Sequence, residues 1–249
     1  MRALLAGNWK MNGLKASLGE IRAMGRAFAD DPPTGDVLIC PPATLIGEAV
    51  RAADGSVIAI GAQDCHSLAA GAFTGDISAE MLRDSGATAV IVGHSERRQY
   101  HGESDQAVAA KATAAHRASL FAIVCVGETE SDRTAGRAID VVAGQLRDSL
   151  PAGLKGGQTA VAYEPIWAIG TGRTPTTAEI QQMHEAIRQA LHAAHGAEAA
   201  EMRILYGGSV KPENAGEILA IPNVDGALIG GASLKAADFL RIARAAPGR

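Results

Sequence analysis

The sequence predicts an α/β fold, a single closed (β/α)8 barrel, and three observations carry that prediction. Short apolar runs alternate with amphipathic helical patterns along the whole chain. Eight such runs can be counted, and 249 residues over eight units leave about 31 for each, the size of a strand plus its crossover helix. Neither terminal run carries the charge, proline or bulge that marks a sheet edge, which favours closure, with an open doubly wound sheet as the alternative. No linker, low-complexity run or charge block divides the chain, so one domain over residues 1–249 is expected.

The expected strands are Ala3 to Trp9, Val37 to Cys40, Val57 to Ala62, Ala89 to Gly93, Phe121 to Val126, Thr159 to Tyr163, Arg203 to Tyr206 and Val224 to Ile229. Each is short and apolar, as a strand buried on both faces should be. Between them, Ser17 to Phe28 carries a stripe of Leu18, Ile21, Met24 and Phe28, and Ile139 to Leu150 one of Ile139, Val142, Leu146 and Leu150. Thr176 and Glu179 form a capping box for another helix. After the third strand, Gln63 to Asp76 (QDCHSLAAGAFTGD) exceeds the ~12 residues of an ordinary connection. Its apolar tip residues, Leu68 and Phe73, suggest burial in a partner.

Composition excludes several classes of function. The net charge is −4 with Lys and Arg scattered, so there is no nucleic-acid footprint. No apolar run approaches the ~20 residues of a membrane span, and MRALLAGNWK lacks the core of a signal peptide, so the cytoplasm is expected. Cys40, Cys65 and Cys125 lack CxxC spacing and read as free thiols, with Cys40 and Cys125 at the ends of buried strands. His184, His192 and His195 lack Cys or carboxylate neighbours at ligand spacing and read as surface residues rather than a zinc site.

In a parallel barrel the C-terminal strand ends open on one face, so polar residues there converge. The first strand ends in Asn8 and Lys10, two apart and expected on one strand face, where a lysine calls for an anion. The fourth ends in His94-Ser95-Glu96-Arg97-Arg98. A helix opening at Ser95 would favour a neutral His94 imidazole, although His94 alone could be structural and the charged residues a surface cluster. The sixth ends abruptly in Glu164-Pro165, and Pro165 biases Glu164 away from helix. The segment Ala168 to Gly172 then reads as a small mobile tip between Pro165 with Trp167 and Pro175. Strands seven and eight end in Gly207-Gly208-Ser209 and Gly230-Gly231-Ala232-Ser233, turns whose amides can approach an anion.

GNWKMN, GAFTGD, VGHSERR, AYEPIWAIGTG, YGGSV and GGASL occur in that order, and through them the chain resembles the triosephosphate isomerases over essentially its whole length. The resemblance implies a TIM barrel that interconverts dihydroxyacetone phosphate and D-glyceraldehyde 3-phosphate in glycolysis and gluconeogenesis, without cofactor or metal. It implies Glu164 as the base at carbon, His94 as the neutral electrophile, and Lys10 and Asn8 facing the substrate oxygens. Glu96 becomes the carboxylate behind them, and Gly170, Ser209, Gly230 and Gly231 the phosphate grip. It also implies a homodimer through Gln63 to Asp76, with Thr74 supporting the neighbouring subunit. Arg173, Pro175, Asp64 and His101 depart from the common family pattern, and Pro175 is expected to alter lid kinetics rather than chemistry. A Schiff-base aldolase would need a lysine within a central strand where this chain has Glu164. A non-catalytic phosphate-binding barrel would break the Lys10, His94, Glu164 set, which is intact.

Overall fold

Eight short parallel strands close on themselves in chain order in the computed structural model, which describes residues 1–168 and 173–248. They are β1 (Leu4–Asn8), β2 (Asp36–Cys40), β3 (Ile58–Ala62), β4 (Ala89–Val92), β5 (Phe121–Val126), β6 (Thr159–Tyr163), β7 (Arg203–Tyr206) and β8 (Gly226–Ile229). β8 returns to β1 with Leu4 opposite Gly226, which closes the barrel and leaves no edge.

Strand periodicity builds two cores. Leu4, Ala6, Leu38, Ile91, Ile123 and Ala162 are among the side chains filling the barrel interior. The alternate positions, including Leu5, Ile39, Val90, Val92 and Val124, face outward beneath the helices. Each fully buried Leu, Ile or Val contributes about 1.5–3 kcal/mol, so a strand buried on both faces is strongly held in register.

The outer layer comprises α1 (Leu18–Asp30), α2 (Ile46–Ala53), α3 (Ala79–Asp84), α4 (Ser95–His101), α5 (Asp105–Arg117), α6 (Glu130–Thr134), α7 (Ala138–Ser149), α8 (Thr177–His195), α9 (Ala215–Ala220) and α10 (Ala236–Arg244). The expected stripe of α1, Leu18, Ile21, Met24 and Phe28, is buried. The capping box of α8 is formed: the Thr176 amide donates to Glu179 Oε2 at 2.7 Å and the Thr176 hydroxyl accepts from the Glu179 amide at 3.3 Å. All three cysteines are free and buried. No described helix is long and apolar enough to cross a membrane.

Three expectations need correction. Ile139 is 40% exposed, because α7 turns Val142, Leu146 and Ser149 inward instead. His184 is buried, with Tyr163 and Tyr206 packed around its ring, since it follows Met183 and Ile180 on the inner side of α8. Lys10 does not share a strand face with Asn8. β1 stops at Asn8, and Lys10 takes a left-handed conformation, φ 53°, with its amide donating to Asn8 Oδ1 at 3.0 Å.

Candidate active site

The strand ends open into a cleft of about 530 Å³ lined by Asn8, Lys10, His94, Ser95, Glu96, Glu164, Ser209, Gly230 and Gly231, among others. Gly170, expected in the phosphate grip, and most of the expected lid tip lie outside the described residues.

Asn8 arrives by strand alternation, as the next inward position after Leu4 and Ala6. The Lys10 turn is pinned from behind by Gln63, whose side-chain amide donates at 2.9 Å to the carbonyls of both Lys10 and Cys40. From there Lys10 Nζ reaches Glu96 Oε1 at 2.6 Å.

His94 reaches the cleft because Gly93, φ 67°, turns the chain out of β4. His94 is then the N-cap of α4, and its Nδ1 accepts the Glu96 amide at 3.2 Å. A ring nitrogen that accepts carries no proton, so the ring N–H is on Nε2, 2.9 Å from Glu164 Oε1.

Glu164 continues the inward series of Ala160 and Ala162 past the end of β6. Its amide still donates to Val126 O at 2.8 Å, and its carbonyl lies so close to Gly127 that a Cβ there would collide with it. Its carboxylate is buried and held at both oxygens, Oε2 by the Ser95 amide at 2.9 Å and Oε1 by the Ser95 hydroxyl at 3.0 Å. Burial pushes the carboxyl up, but His94 and the two Ser95 donors outweigh it and hold the group below the usual carboxylate range.

Opposite them, the Ser233 amide and hydroxyl donate to Gly230 O at 2.8 and 2.7 Å, and the Trp9 indole donates to Ser233 O at 3.1 Å. This folds Gly231–Leu234 into a single helical turn whose start lines the cleft beside Ser209 and Lys211.

Two features escaped the sequence reading. Ser95 was legible only as a helix start, since nothing local indicates that its donors face a strand some seventy residues later. Glu128 is fully buried and accepts from the Trp167 indole at 2.7 Å, the Tyr163 hydroxyl at 3.1 Å and Arg133 Nη1 at 3.2 Å. A charged residue directly after the β5 turn was its only signal. Arg133 also lies over the Trp167 ring at 4.7 Å, and Arg173 pairs with Glu130 at 2.7 Å. Both ends of the expected lid are thus tied to the start of α6.

The family model described as triosephosphate isomerase matches residues 3–246. A protein of Afipia carboxidovorans named triosephosphate isomerase is 62% identical over 247 residues, covering 99% of this chain and 98% of that one. One of Rhizobium meliloti with the same name is 57% identical, at 98% and 96% coverage. A solved triosephosphate isomerase from Bartonella henselae superposes with a TM-score of 0.92 at 47% identity, covering 98% of this chain and 99% of that one. With its barrel closed in the same way and its sequence matched almost end to end, the chain belongs to the triosephosphate isomerase family.

Proposed function

We propose that Glu164 and His94 carry out this family's reaction, the interconversion of dihydroxyacetone phosphate and D-glyceraldehyde 3-phosphate in glycolysis and gluconeogenesis. One observation supports the reading above the others: a buried carboxylate and an imidazole N–H meet at 2.9 Å in a cleft that also contains a lysine.

A proton beside a carbonyl is weakly acidic, so a carboxylate removes it only if the developing oxyanion is stabilised at once. Glu164 takes the proton and returns it to the neighbouring carbon of an enediolate. His94 donates Nε2–H to the oxygens, Lys10 and Asn8 face them, and Glu96 holds Lys10. A positioned base supplies about 10²–10⁴ in rate and an oxyanion donor about 3 kcal/mol, so neither suffices alone. Gripping the non-reacting phosphate at Gly170, Ser209, Gly230 and Gly231 lets remote binding energy position the reacting atoms and exclude water.

A homodimer, cytoplasmic residence and one barrel domain over residues 1–249 belong to the same proposal. Leu68 and Phe73 are exposed on the Gln63 to Asp76 loop, and Met11 is 97% exposed. Met11 lies on a second cleft of about 440 Å³ lined also by Asp64, His66, Asp76 and Arg97, which suits the loop of a second copy.

The test is the rate of D-glyceraldehyde 3-phosphate isomerisation, followed through reduction of dihydroxyacetone phosphate, beside Glu164→Gln. Fast turnover that falls by about 10²–10⁴ in the variant is expected. Equal turnover in a folded Glu164→Gln protein would overturn the assignment of the base.

A further inference from the structure

Behind His94, on the helix that it caps, Arg98 turns its guanidinium away from the cleft and into the barrel wall. Nε donates to Gly93 O at 2.9 Å, Nη1 to Asp105 Oδ1 at 2.6 Å, and Nη2 to both Cys125 O and Ser149 Oγ at 3.0 Å. The Ser149 hydroxyl donates onward to Asp105 Oδ1 at 2.9 Å. The side chain of Arg98 is only 14% exposed. Four of its five N–H groups are used, in the planar fork that lysine lacks.

The two carbonyls give this cluster its meaning. Gly93 O belongs to the peptide that carries the His94 nitrogen, so a donor fixed on that oxygen sets the plane from which the His94 side chain departs. Gly93 is left-handed, and a Cβ placed on it would lie 2.7 Å from Val108 and 3.2 Å from Arg98 Nη2, so the turn is pressed between the two. Cys125 lies in β5 opposite Ala162 of β6, the strand that delivers Glu164. A single rigid group therefore spaces the exit of β4 against the strand beside the base.

We propose that Arg98, held by Asp105 and Ser149, is a positioning residue for His94: it fixes the Gly93 turn so that Nε2–H meets the reacting oxygens. The proposal rests on the reading of His94 as the electrophile. It predicts a loss in turnover that passes through His94 and leaves phosphate binding alone.

The experiment compares the parent, Arg98→Lys, Asp105→Asn and His94→Gln, together with Arg98→Lys and Asp105→Asn each in the His94→Gln background. Folding is checked by circular dichroism, and inorganic phosphate serves as competitive probe. Arg98→Lys is expected to lower kcat by about 10- to 100-fold, the scale of a misplaced catalytic group. KM and inhibition by phosphate stay within about twofold, as the turns at Ser209, Gly230 and Gly231 are untouched. Asp105→Asn, which leaves the donors to Gly93 and Cys125 in place but unsupported, lowers kcat less. Both losses disappear in the His94→Gln background, because groups acting through one another are not additive. Losses of equal size in both backgrounds, or a lower melting temperature with parent kcat, would overturn the proposal while leaving His94 in its role. Parent turnover in His94→Gln alone would overturn the reading of His94, and the proposal with it. Should Arg98→Lys fail to fold, the Asp105→Asn pair decides by the same comparison.

Discussion

Ser95 holds both oxygens of the buried Glu164 carboxylate, its amide on Oε2 at 2.9 Å and its hydroxyl on Oε1 at 3.0 Å. A base tied in this way has to leave Ser95 before it can reach a carbon. Leaving changes its chemistry as well as its position: the two Ser95 donors, which add to the larger effect of His94 in holding the carboxyl down, are lost, whereas burial, which pushes it up, remains. The move itself therefore strengthens the base.

Ser95→Ala tests that account. The amide on Oε2 stays and the hydroxyl on Oε1 goes, so the carboxyl is held down less, by His94 and the amide alone, and the acid limb of the kcat/KM profile moves to higher pH. Turnover on the plateau is expected within a few-fold of the parent, because Ser95 touches the base and not the reacting atoms. An acid limb that stays in place would show that the hydroxyl does not hold the base down.

Trp167→Phe removes the shortest hydrogen bond to Glu128, 2.7 Å, from a carboxylate that is fully buried. Tyr163 and Arg133 remain as donors, so the loss is one partner of a charged buried acceptor, about 1–3 kcal/mol. For a chain of this size that lowers the melting temperature by roughly 2–12 °C. An unchanged melting temperature would mean that the indole donor adds nothing net to the folded state.

Much of this was legible because strand periodicity is strict. All eight strands were found within two residues of their ends, and Asn8 and Glu164 reach the cleft by continuing an inward alternation that the sequence already displays. His94 and Lys10 break alternation through positive φ angles at Gly93 and at Lys10 itself, and only the glycine announces such a turn. Contacts across the barrel were less legible still. Ser95 with Glu164 and Arg98 with Cys125 depend on which strands become neighbours, and local pattern carries no such information. His184 was misread although it falls on the buried stripe of Ile180, Met183, Ile187 and Leu191 along α8; what local pattern does not carry is the packing of Tyr163 and Tyr206, from two strands, around its ring.

The loop tip carries the proposal of a dimer. Phe73 is 43% exposed and its ring lies 4.3 Å from that of His66, a rigid apolar knob at the end of a long connection. Phe73→Asp is expected to weaken association by 2 kcal/mol or more, about 30-fold in the dissociation constant. Sedimentation equilibrium would show the single chain at concentrations where the parent is paired. A parent and variant that both sediment as the same single species would remove the loop from any interface.

His184 makes stability depend on pH in a window of its own. Its Nδ1 lies 3.0 Å from Asn223 O, whereas Nε2 is buried without a partner among the described residues, so a second ring proton would find no acceptor among them. Burial lowers its pKa from 6.5 to about 4. Between those values the unfolded chain binds a proton that the folded chain refuses, so stability falls as pH falls from 6.5 and the loss is complete below about 4. At 1.36 kcal/mol per unit the full effect is about 3 kcal/mol. His184→Gln keeps an amide donor for Asn223 O and does not titrate. Unfolding by denaturant at a series of pH values should therefore give a shallower decline for the variant between pH 6.5 and 4, by about 3 kcal/mol over the window. Parallel declines in parent and variant would mean that the acid sensitivity arises from the carboxylates, and that His184 takes up its proton without cost in the folded chain.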